Sequence, residues 1–375
     1  MLRLATVLIL TTDAFVCKRG IRRAGPVAAM TEPSSLGPVL SPSADRPARW
    51  DSACVANPVV LKPGPGENWK MFYYGNNGNW SDGTVGFLPT GTSGLAESVD
   101  GVRWTKVDGP RADGSVFGPA DDVDAWDVLH TGVGDVIRED DGSLLMFYFG
   151  GGGAETSAGG RTVRGLGMQI GRARSVDGGR SWTRCGSGAD GAGPVLEARA
   201  EEGLFASWPR ILQYESHWRM MYHAFNGTNW RAFTAVSTDA GLTWTDRKLA
   251  LDTGAEGAFD EVGVGTRAVV KRGGDDVLMV YEGVEAGTGT HRLGAATSSD
   301  GGASWTRAAG PIVEPGVAPL GDWTAQVVGT PYLVGMDDGS LRLYHCAKTK
   351  ETNMSIGVLV SPSGAFDADA WRGVD

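Results

Sequence analysis

A short turn sequence that returns about every sixty residues constrains this chain more than any other feature. Three copies read Ser-x-Asp-x-Gly-x-Ser/Thr-Trp and occupy residues 175–182, 237–244 and 298–305, and a shortened copy occupies 98–104. The Asp and Ser side chains of such a turn bond to its backbone, the glycine supplies the turn conformation, and the tryptophan packs against the sheet. Self-similarity at a fixed period predicts a fold assembled from repeated units. The copies mark the framework of the fold and carry little information about chemistry.

Strands can be predicted ahead of each turn. An apolar strand that ends in tyrosine recurs five times, at Tyr74, Tyr148, Tyr222, Tyr281 and Tyr344. A further strand precedes each of these, at 57–61, 135–137, 209–212, 267–270 and 331–334. The 57 glycines and 13 tryptophans suit many short strands joined by tight turns. Five copies of four antiparallel strands predict an all-β, five-bladed β-propeller whose first strands line a central channel.

A short sequence that recurs between the repeats predicts how the ring closes. Gly-Pro-Val-Leu or Gly-Pro-Ile-Val stands between repeats at 193–196 and 310–313, and again at 37–40. We therefore expect residues from about 37 to complete the last blade, whose own turn sequence is degenerate around 361–371. Closure of this kind leaves no free sheet edge. No linker divides the ring, so residues 37–375 are predicted to form one propeller domain.

Residues 1–30 have the composition of a removable leader. An apolar run at 4–10 stands behind Arg3 and is followed by small residues, which is typical of a secretory signal peptide too short to span a bilayer. The stretch after Phe15 is basic and lacks acidic residues as far as Met30. This arrangement resembles the two-part plastid leaders of algae with complex plastids. It predicts a plastid location, with plain secretion as the alternative.

The charge of the chain limits the classes of partner that it can bind. The formal net charge is −10 although the leader is basic, so the remainder is strongly acidic. Repulsion of phosphate and of anionic lipid argues against nucleic acid and membrane surfaces as partners. No segment after the leader reaches the roughly 18 uninterrupted apolar residues of a membrane span, and we expect a soluble monomer. Cys54, Cys185 and Cys346 are widely spaced and are predicted to be buried thiols.

Polar residues that break the repeat are the candidates for a functional site. At one level of the aligned first strands, Asp135 and Arg267 replace the prolines of the other blades. A carboxylate and a guanidinium in a narrow channel would cost several kcal/mol without partners, so they pair with each other or serve a ligand. Further polar residues fall nearby: His130, Ser207, Arg210, His223, Glu261, Glu282 and His345. By contrast, Asp51, Asp127 and Asp260 each follow an aromatic residue, which favours a shared structural bond.

The blade count, the Asn-Pro-Val-Val strand at Asn57 and the Met-Phe-Tyr strands resemble the five-bladed superfamily of carbohydrate enzymes, across residues 37–375. That superfamily includes arabinanases, invertases, levansucrases and β-mannoside phosphorylases. The resemblance implies a base or nucleophile Asp from blade one, an orienting Asp from blade two and an acid Glu from blade three. Asp135 matches the blade-two position, whereas Asn57 and Ser207 stand where the other two carboxylates would be.

The resemblance therefore leads to site predictions that include two substitutes. Asp51 is predicted to replace the missing base and Glu261 of blade four the missing acid, beside Asp135. The predicted substrate-binding residues are His130, Trp208, Arg210, His223, Arg267 and Glu282. No His and carboxylate cluster has metal-ligand spacing, so we expect no cofactor, with a Ca²⁺ ion on the channel axis left open.

Three functions stay open at this point. The first is a glycoside-processing enzyme that acts on an oligosaccharide, a polysaccharide or a small glycoside at the channel mouth. Hydrolysis needs one protonated and one ionised carboxyl group, whereas a phosphorylase could use Arg210 and Arg267 to hold phosphate. The second is a propeller that binds carbohydrate or protein without turnover, which Asn57 and Ser207 motivate. The third is a sialidase, for which arginines are present but five blades are too few.

Overall fold

The strands form five successive four-stranded antiparallel units. The computed structural model describes residues 37–79, 90–158, 161–317, 319–320, 322–349 and 353–374, so the predicted leader of residues 1–30 lies outside the described residues. Unit one contains β1 (Cys54–Leu61), β2 (Trp69–Asn76), β3 (Thr92–Ser98) and β4 (Thr105–Val107). Unit two contains β5 (His130–Arg138), β6 (Leu144–Gly151), β9 (Gln169–Ser175) and β10 (Thr183–Arg184), with the hairpin β7 (Glu155–Ala158) and β8 (Arg161–Arg164) inserted.

The remaining units follow the same order. Unit three contains β11 (Ala206–Gln213), β12 (Trp218–Phe225), β13 (Trp230–Ser237) and β14 (Thr245–Leu251). Unit four contains β15 (Gly263–Gly273), β16 (Asp276–Val284), β17 (His291–Ser298) and β18 (Thr306–Val313), and one parallel pairing of Trp230 with Gly263 joins it to unit three. Unit five contains β19 (Val327–Gly335), β20 (Leu341–Lys348), β21 (Ser355–Ser361) and β22 (Arg372–Gly373). Single 3₁₀ turns lie at Asp322–Thr324 and Ala368–Ala370.

The predicted all-β class is confirmed, and the reason lies in the second strand of each unit. Strands such as β2 and β6 are buried along their whole length, because a neighbouring unit covers each face. Such strands consist of continuous apolar residues without polar alternation. In the part of the chain that the structure describes, no helix is long and apolar enough to cross a membrane.

The first strands of the units contact one another in cyclic order. β1 contacts β5 and β19, β11 contacts β5 and β15, and β15 contacts β19, so the contacts return to their starting strand. Each first strand has a β-bulge at its middle, for instance between Ala56 and Val59 in β1. A bulge turns a side chain away from its regular direction. Three bulge residues are non-glycine residues with positive φ: Asn57 at 51°, Trp208 at 48° and Thr330 at 41°.

The recurrent turn sequences pack each unit against the one before it. In the turn of unit four, Asp300 accepts the backbone N–H of Ser304 at 2.9 Å, and Ser298 accepts that of Gly302 at 2.8 Å. The turn glycines of units two and three approach the preceding unit so closely that an added Cβ would overlap it, as a Cβ at Gly179 would overlap the ring of Phe72. Close packing of units thus depends on glycine at this position.

The turn of unit one packs against unit five in the same way. Gly101, in the turn of unit one, would place a Cβ against Nη1 of Arg342, and its carbonyl accepts the hydroxyl of Tyr344 at 2.8 Å. Leu40 and Ile356 also form a bridge, with the Ile356 N–H donated to the Leu40 carbonyl at 2.8 Å. We call these contacts between the first and last units the seam.

The second strands of units one and five are each shifted by one residue from the sequence alignment. The aromatic residue that precedes units one, two and four stacks on the tyrosine of its second strand, as Trp50 does on Tyr73 at 5.4 Å. In unit five, Trp323 stacks on His345 at 5.7 Å. His345, and not Tyr344, therefore occupies the repeated tyrosine position, and the equivalent residue of unit one is Tyr73, not Tyr74.

Candidate functional site

Asp51, the predicted base, belongs to a bonding pattern that recurs in four units. Its carboxylate is fully buried and accepts the hydroxyl of Tyr73 at 3.0 Å, Nζ of Lys106 at 2.6 Å and Nε of Arg49 at 2.9 Å. The same carboxylate, tyrosine and cation combination occurs as Asp127, Tyr148 and Arg184, as Glu202, Tyr222 and Arg247, and as Asp260, Tyr281 and Arg307. We call these four groups the framework clamps. The geometry assigns Asp51 to the framework and leaves none of its charge for a ligand.

Two further predicted site residues, Glu261 and His130, make local contacts of their own. Glu261 is half-buried and accepts the backbone N–H of Gly257 at 2.9 Å, which fixes a local turn. His130 is buried and its Nε2 lies 2.9 Å from the carbonyl of Gly165. Burial lowers the pKa of His130 to about 4, so its ring is neutral. Among the described residues, neither side chain contacts Asp135 or Glu282.

Asp135 and Arg210 lie on two neighbouring first strands, β5 and β11. Asp135 is 5% exposed; one oxygen accepts the Ile211 N–H at 2.8 Å, and the other accepts the Tyr332 hydroxyl at 3.1 Å. Arg210 donates Nε to the Arg267 carbonyl at 2.8 Å, and its guanidinium lies 5.0 Å from the centre of the Tyr332 ring. Side chains from the three first strands β5, β11 and β19 therefore contact one another here.

Arg267 does not pair with Asp135. Its Nη1 donates to the Trp208 carbonyl at 3.0 Å, and its Nη2 donates to Nδ1 of His223 at 2.7 Å. Burial, followed by the charge of Arg267, lowers the pKa of His223 well below its usual value, so this imidazole is a neutral acceptor. Trp208 stacks on Phe149 at 4.0 Å. The structure thus brings Arg267, His223 and Trp208 together, as framework for the neighbouring strands.

Glu282 lies between units four and five, at the end of β16. One carboxylate oxygen accepts the hydroxyl of Thr266 and the N–H of Thr330, the latter at 3.2 Å. The other oxygen lies 2.5 Å from Nδ1 of His291. Because a carboxylate only accepts, Nδ1 carries the proton. Gly329 leaves room for the carboxylate, since a Cβ there would lie 2.7 Å from Oε1 of Glu282.

Side-chain hydrogen bonds connect these groups around the axis. Asn57 bonds forward to the Val133 carbonyl in β5, while its own N–H donates to the Thr330 hydroxyl in β19 at 3.1 Å. Asp135 links β5 to β11, Arg210 and Arg267 link β11 to β15, and Glu282 links β15 to β19. Each first strand is therefore joined to both neighbours by buried polar side chains, which we call the axial network.

The axial network and its surroundings contain polar atoms without a partner. Among the described residues these include Nη1 of Arg210, Oγ of Ser207 and Nε2 of His291, on residues that are 1%, 0% and 4% exposed. Buried polar groups in native proteins almost always have partners, and exceptions mark places where water or a ligand binds. The three atoms therefore indicate where a polar ligand would complete the structure.

The two buried carboxylates of the axial network have opposite pKa shifts. Burial raises the pKa of Asp135, although the charge of Arg210 and backbone N–H groups oppose it. Burial also acts to raise the pKa of Glu282, but the hydrogen bond and the charge of His291, together with the hydrogen bond from Thr266, prevail and lower it. A pair of titratable groups driven apart in this way is the pattern of an acid and an ionised partner.

Sequence reasoning missed His291. His291 stands at the start of a third strand, whereas the comparison of repeats used first and second strands only. Its signal is diagonal pairing: Val284 lies opposite His291 in register, which places Glu282 and His291 on one face. No group of three or more His, Cys, Asp or Glu side chains that could hold a metal ion occurs among the described residues.

Comparison with solved structures finds the same fold in proteins described as glycoside hydrolases. No protein-family description and no curated protein matches the sequence. A glycosyl hydrolase from Bacteroides ovatus matches with a TM-score of 0.58 at 17% identity, over 92% of this chain and 94% of that one. BT0996, in a complex with RGII, matches with a TM-score of 0.64 at 19% identity, over 91% of this chain and 94% of that one.

A third match is described by its place in the GH130 family of mannoside phosphorylases, which contains glycoside hydrolases that target β-1,2 mannosidic linkages in Candida mannan. It has a TM-score of 0.59 at 15% identity and covers 96% of this chain and 99% of that one. At such identities the likeness establishes the fold. The chain has a β-propeller fold like that of these glycoside hydrolases and mannoside phosphorylases, as the resemblance predicted.

Proposed function

We propose that this protein is a glycoside-processing enzyme that acts on an oligosaccharide, a polysaccharide or a small glycoside at the mouth of a five-bladed propeller. The count of five blades is supported by the five four-stranded units. Closure of the ring is supported by the cyclic contacts of the first strands and by the seam at Leu40 and Gly101. Activity on glycosides is supported by the fold shared with glycoside hydrolases and phosphorylases.

The observation that carries the proposal is the pair Asp135 and Glu282. Both carboxylates are buried beside unpartnered polar atoms, and their pKa values are shifted in opposite directions. Cleavage of a glycosidic bond needs a carboxylic acid that protonates the leaving oxygen and a second group that stays ionised. We assign Asp135 to the first task and Glu282 to the second, in place of the sequence-based choice of Asp51 and Glu261.

The test is turnover of a panel of aryl pyranosides and furanosides, β-mannosides included, with and without phosphate. We expect Asp135→Asn and Glu282→Gln each to lower kcat/KM by about 10²–10⁴-fold, as for lost acid and base groups. Glu261→Gln is the matched control, because that carboxylate only fixes a local turn, and it should stay within about twofold of the wild type. Equal losses in all three variants would contradict the assignment.

Binding without turnover is the second candidate function. It is favoured by Asn57 and Ser207, which stand where related enzymes carry carboxylates, and by the occupied oxygens of Asp135. Calorimetric titration with manno-oligosaccharides separates the two functions. Heat of binding that survives Asp135→Ala, together with an absence of product, supports the binding function.

We also propose delivery to a plastid by residues 1–30, from the two-part composition of that segment. The test is a fusion of residues 1–36 to a fluorescent protein in an alga with a complex plastid. Fluorescence in the plastid supports the proposal, and fluorescence in the medium supports secretion.

A further inference from the structure

A buried carboxylate–histidine pair, Glu282 with His291, has an arrangement that the proposed function leaves unexplained. The two side chains are 6% and 4% exposed, and Nδ1 of His291 lies 2.5 Å from Oε1 of Glu282. The pair lies where β16 ends and β17 begins, next to the first strand β19 of the following unit. We call the pair the dyad.

Both oxygens of Glu282 are already occupied. Oε1 accepts from His291, and Oε2 accepts from the hydroxyl of Thr266 and the N–H of Thr330. A substrate could reach the carboxylate only by displacing one of these donors. The atom of the dyad that remains without a partner is Nε2 of His291, which is buried. When the imidazole carries a single proton and Glu282 holds it on Nδ1, Nε2 presents a lone pair.

We propose that Nε2 of His291 is the proton acceptor of the site and that Glu282 acts through it. The inference rests on the proposed function and goes further, because it makes water the attacking molecule. Water must lose a proton as it attacks, so hydrolysis benefits from a base. Phosphate already carries negative charge and attacks without one, so a phosphorylase would have no use for the dyad.

In this reaction the oxygen of water forms a bond to the anomeric carbon, and its proton moves to Nε2 of His291. The glycosidic C–O bond breaks, and the leaving oxygen takes the proton of the Asp135 carboxylic acid. Glu282 keeps its charge throughout and stabilises the imidazolium that forms, as the carboxylate of a catalytic triad does. Return of the His291 proton to Asp135 through water restores the starting state.

The dyad has few titratable neighbours, and its histidine has a different hydrogen-bond partner from the other histidines. The titratable groups around it are Arg267 from β15 and, from β20, Cys346 and Lys348. Burial, followed by the charge of Glu282, raises the pKa of Cys346 to about 12, so its thiol stays neutral. Of the five histidines in the chain, His291 is the one with a carboxylate hydrogen-bond partner among the described residues.

The experiment compares His291→Asn with the wild type on whichever glycoside of the panel is turned over. The asparagine amide can still donate to Glu282, but it offers no atom at the place of Nε2. We expect kcat to fall by at least about 100-fold, with KM within about threefold, and the acidic limb of the kcat/KM profile to disappear. His217→Asn, in the turn between β11 and β12, is the control and should leave the profile unchanged.

A second variant covers loss by misfolding. His291→Ala opens a space for imidazole, so added free imidazole should restore a measurable part of the rate. If the wild type is active and His291→Asn stays within about threefold of it, the role of the dyad is refuted and the proposed function stands. The same holds if turnover by the wild type requires phosphate. A wild type inactive on every glycoside refutes the proposed function and the dyad with it.

Discussion

The framework clamps make a prediction that separates a structural Asp51 from a catalytic one. Asp51→Ala removes a fully buried carboxylate and leaves the Tyr73 hydroxyl and the Lys106 ammonium, 18% exposed, without their partner. Removal of one member of a buried charge pair costs about 3–5 kcal/mol, because the other charge stays buried. The variant should therefore lose stability without a specific loss of chemistry.

The size of the effect on melting follows from the length of the chain. Unfolding entropy of about 2.1 cal/mol/K per residue gives roughly 0.7 kcal/mol/K for a propeller of this size. A loss of 3–5 kcal/mol then lowers Tm by about 4–7 °C. Differential scanning calorimetry measures this shift, and urea curves give the free energy of unfolding independently.

The repeat supplies matched controls inside the same molecule. Asp127→Ala and Asp260→Ala remove the equivalent carboxylates from Tyr148 and Tyr281 and should lower Tm by a similar amount. All three variants should keep kcat within about threefold of the wild type at a temperature where they are folded. If Asp51→Ala alone abolished turnover while its Tm stayed unchanged, the structural assignment of Asp51 would be refuted.

Three further predictions concern other parts of the molecule. Gly329→Ala should displace the Glu282 carboxylate, because its Cβ would lie 2.7 Å from Oε1, and so lower kcat by more than about tenfold with little change in Tm. Gly101→Ala, at φ +75° and at the seam, should lower the free energy of unfolding by about 1–2 kcal/mol in urea titrations. Burial acts to raise the pKa of Asp300, but hydrogen bonds from Ser304 and Ser298 prevail and lower it to about 2. The ionised Asp300 therefore stabilises the fold fully above the pKa of the unfolded chain, near 3.8, and this stabilisation is lost as the pH falls towards 2. Asp300→Asn should remove this part of the pH dependence from acid-unfolding curves.

The fold was predictable because its signals are local and repeated. The turn at 298–305 and the apolar strand before it involve residues that are close in sequence, so the pattern reports them directly. The one-residue error in unit five arose because Tyr344 fits the local pattern, while the stacking of His345 on Trp323 is visible only in three dimensions. The count of five blades and the closure of the ring remain predictions that the described contacts support.

The candidate site was less predictable, because its contacts join strands far apart in the chain. Asp135 and Arg267 occupy one level of the aligned strands, yet the bulges send them to Tyr332 and His223 respectively. A sequence does not state the direction in which a bulge turns a side chain. The sequence did indicate that Asp51 makes a structural bond, because equivalent aspartates occur in other units. A residue that recurs in several units takes part in the structure common to those units.

The seam has a consequence for the synthesis of the molecule on the ribosome. Leu40 is among the first residues of the propeller to be made, and its partner Ile356 is among the last. At about 5–20 residues per second, the early strands remain without their final neighbour for roughly 15–60 s. During that interval the nascent chain exposes the apolar face of unit one, with Trp69, Met71 and Tyr73, that later packs against unit five. A chaperone that covers β1 during translation would raise the yield of soluble protein, whereas one that acts after release would come too late.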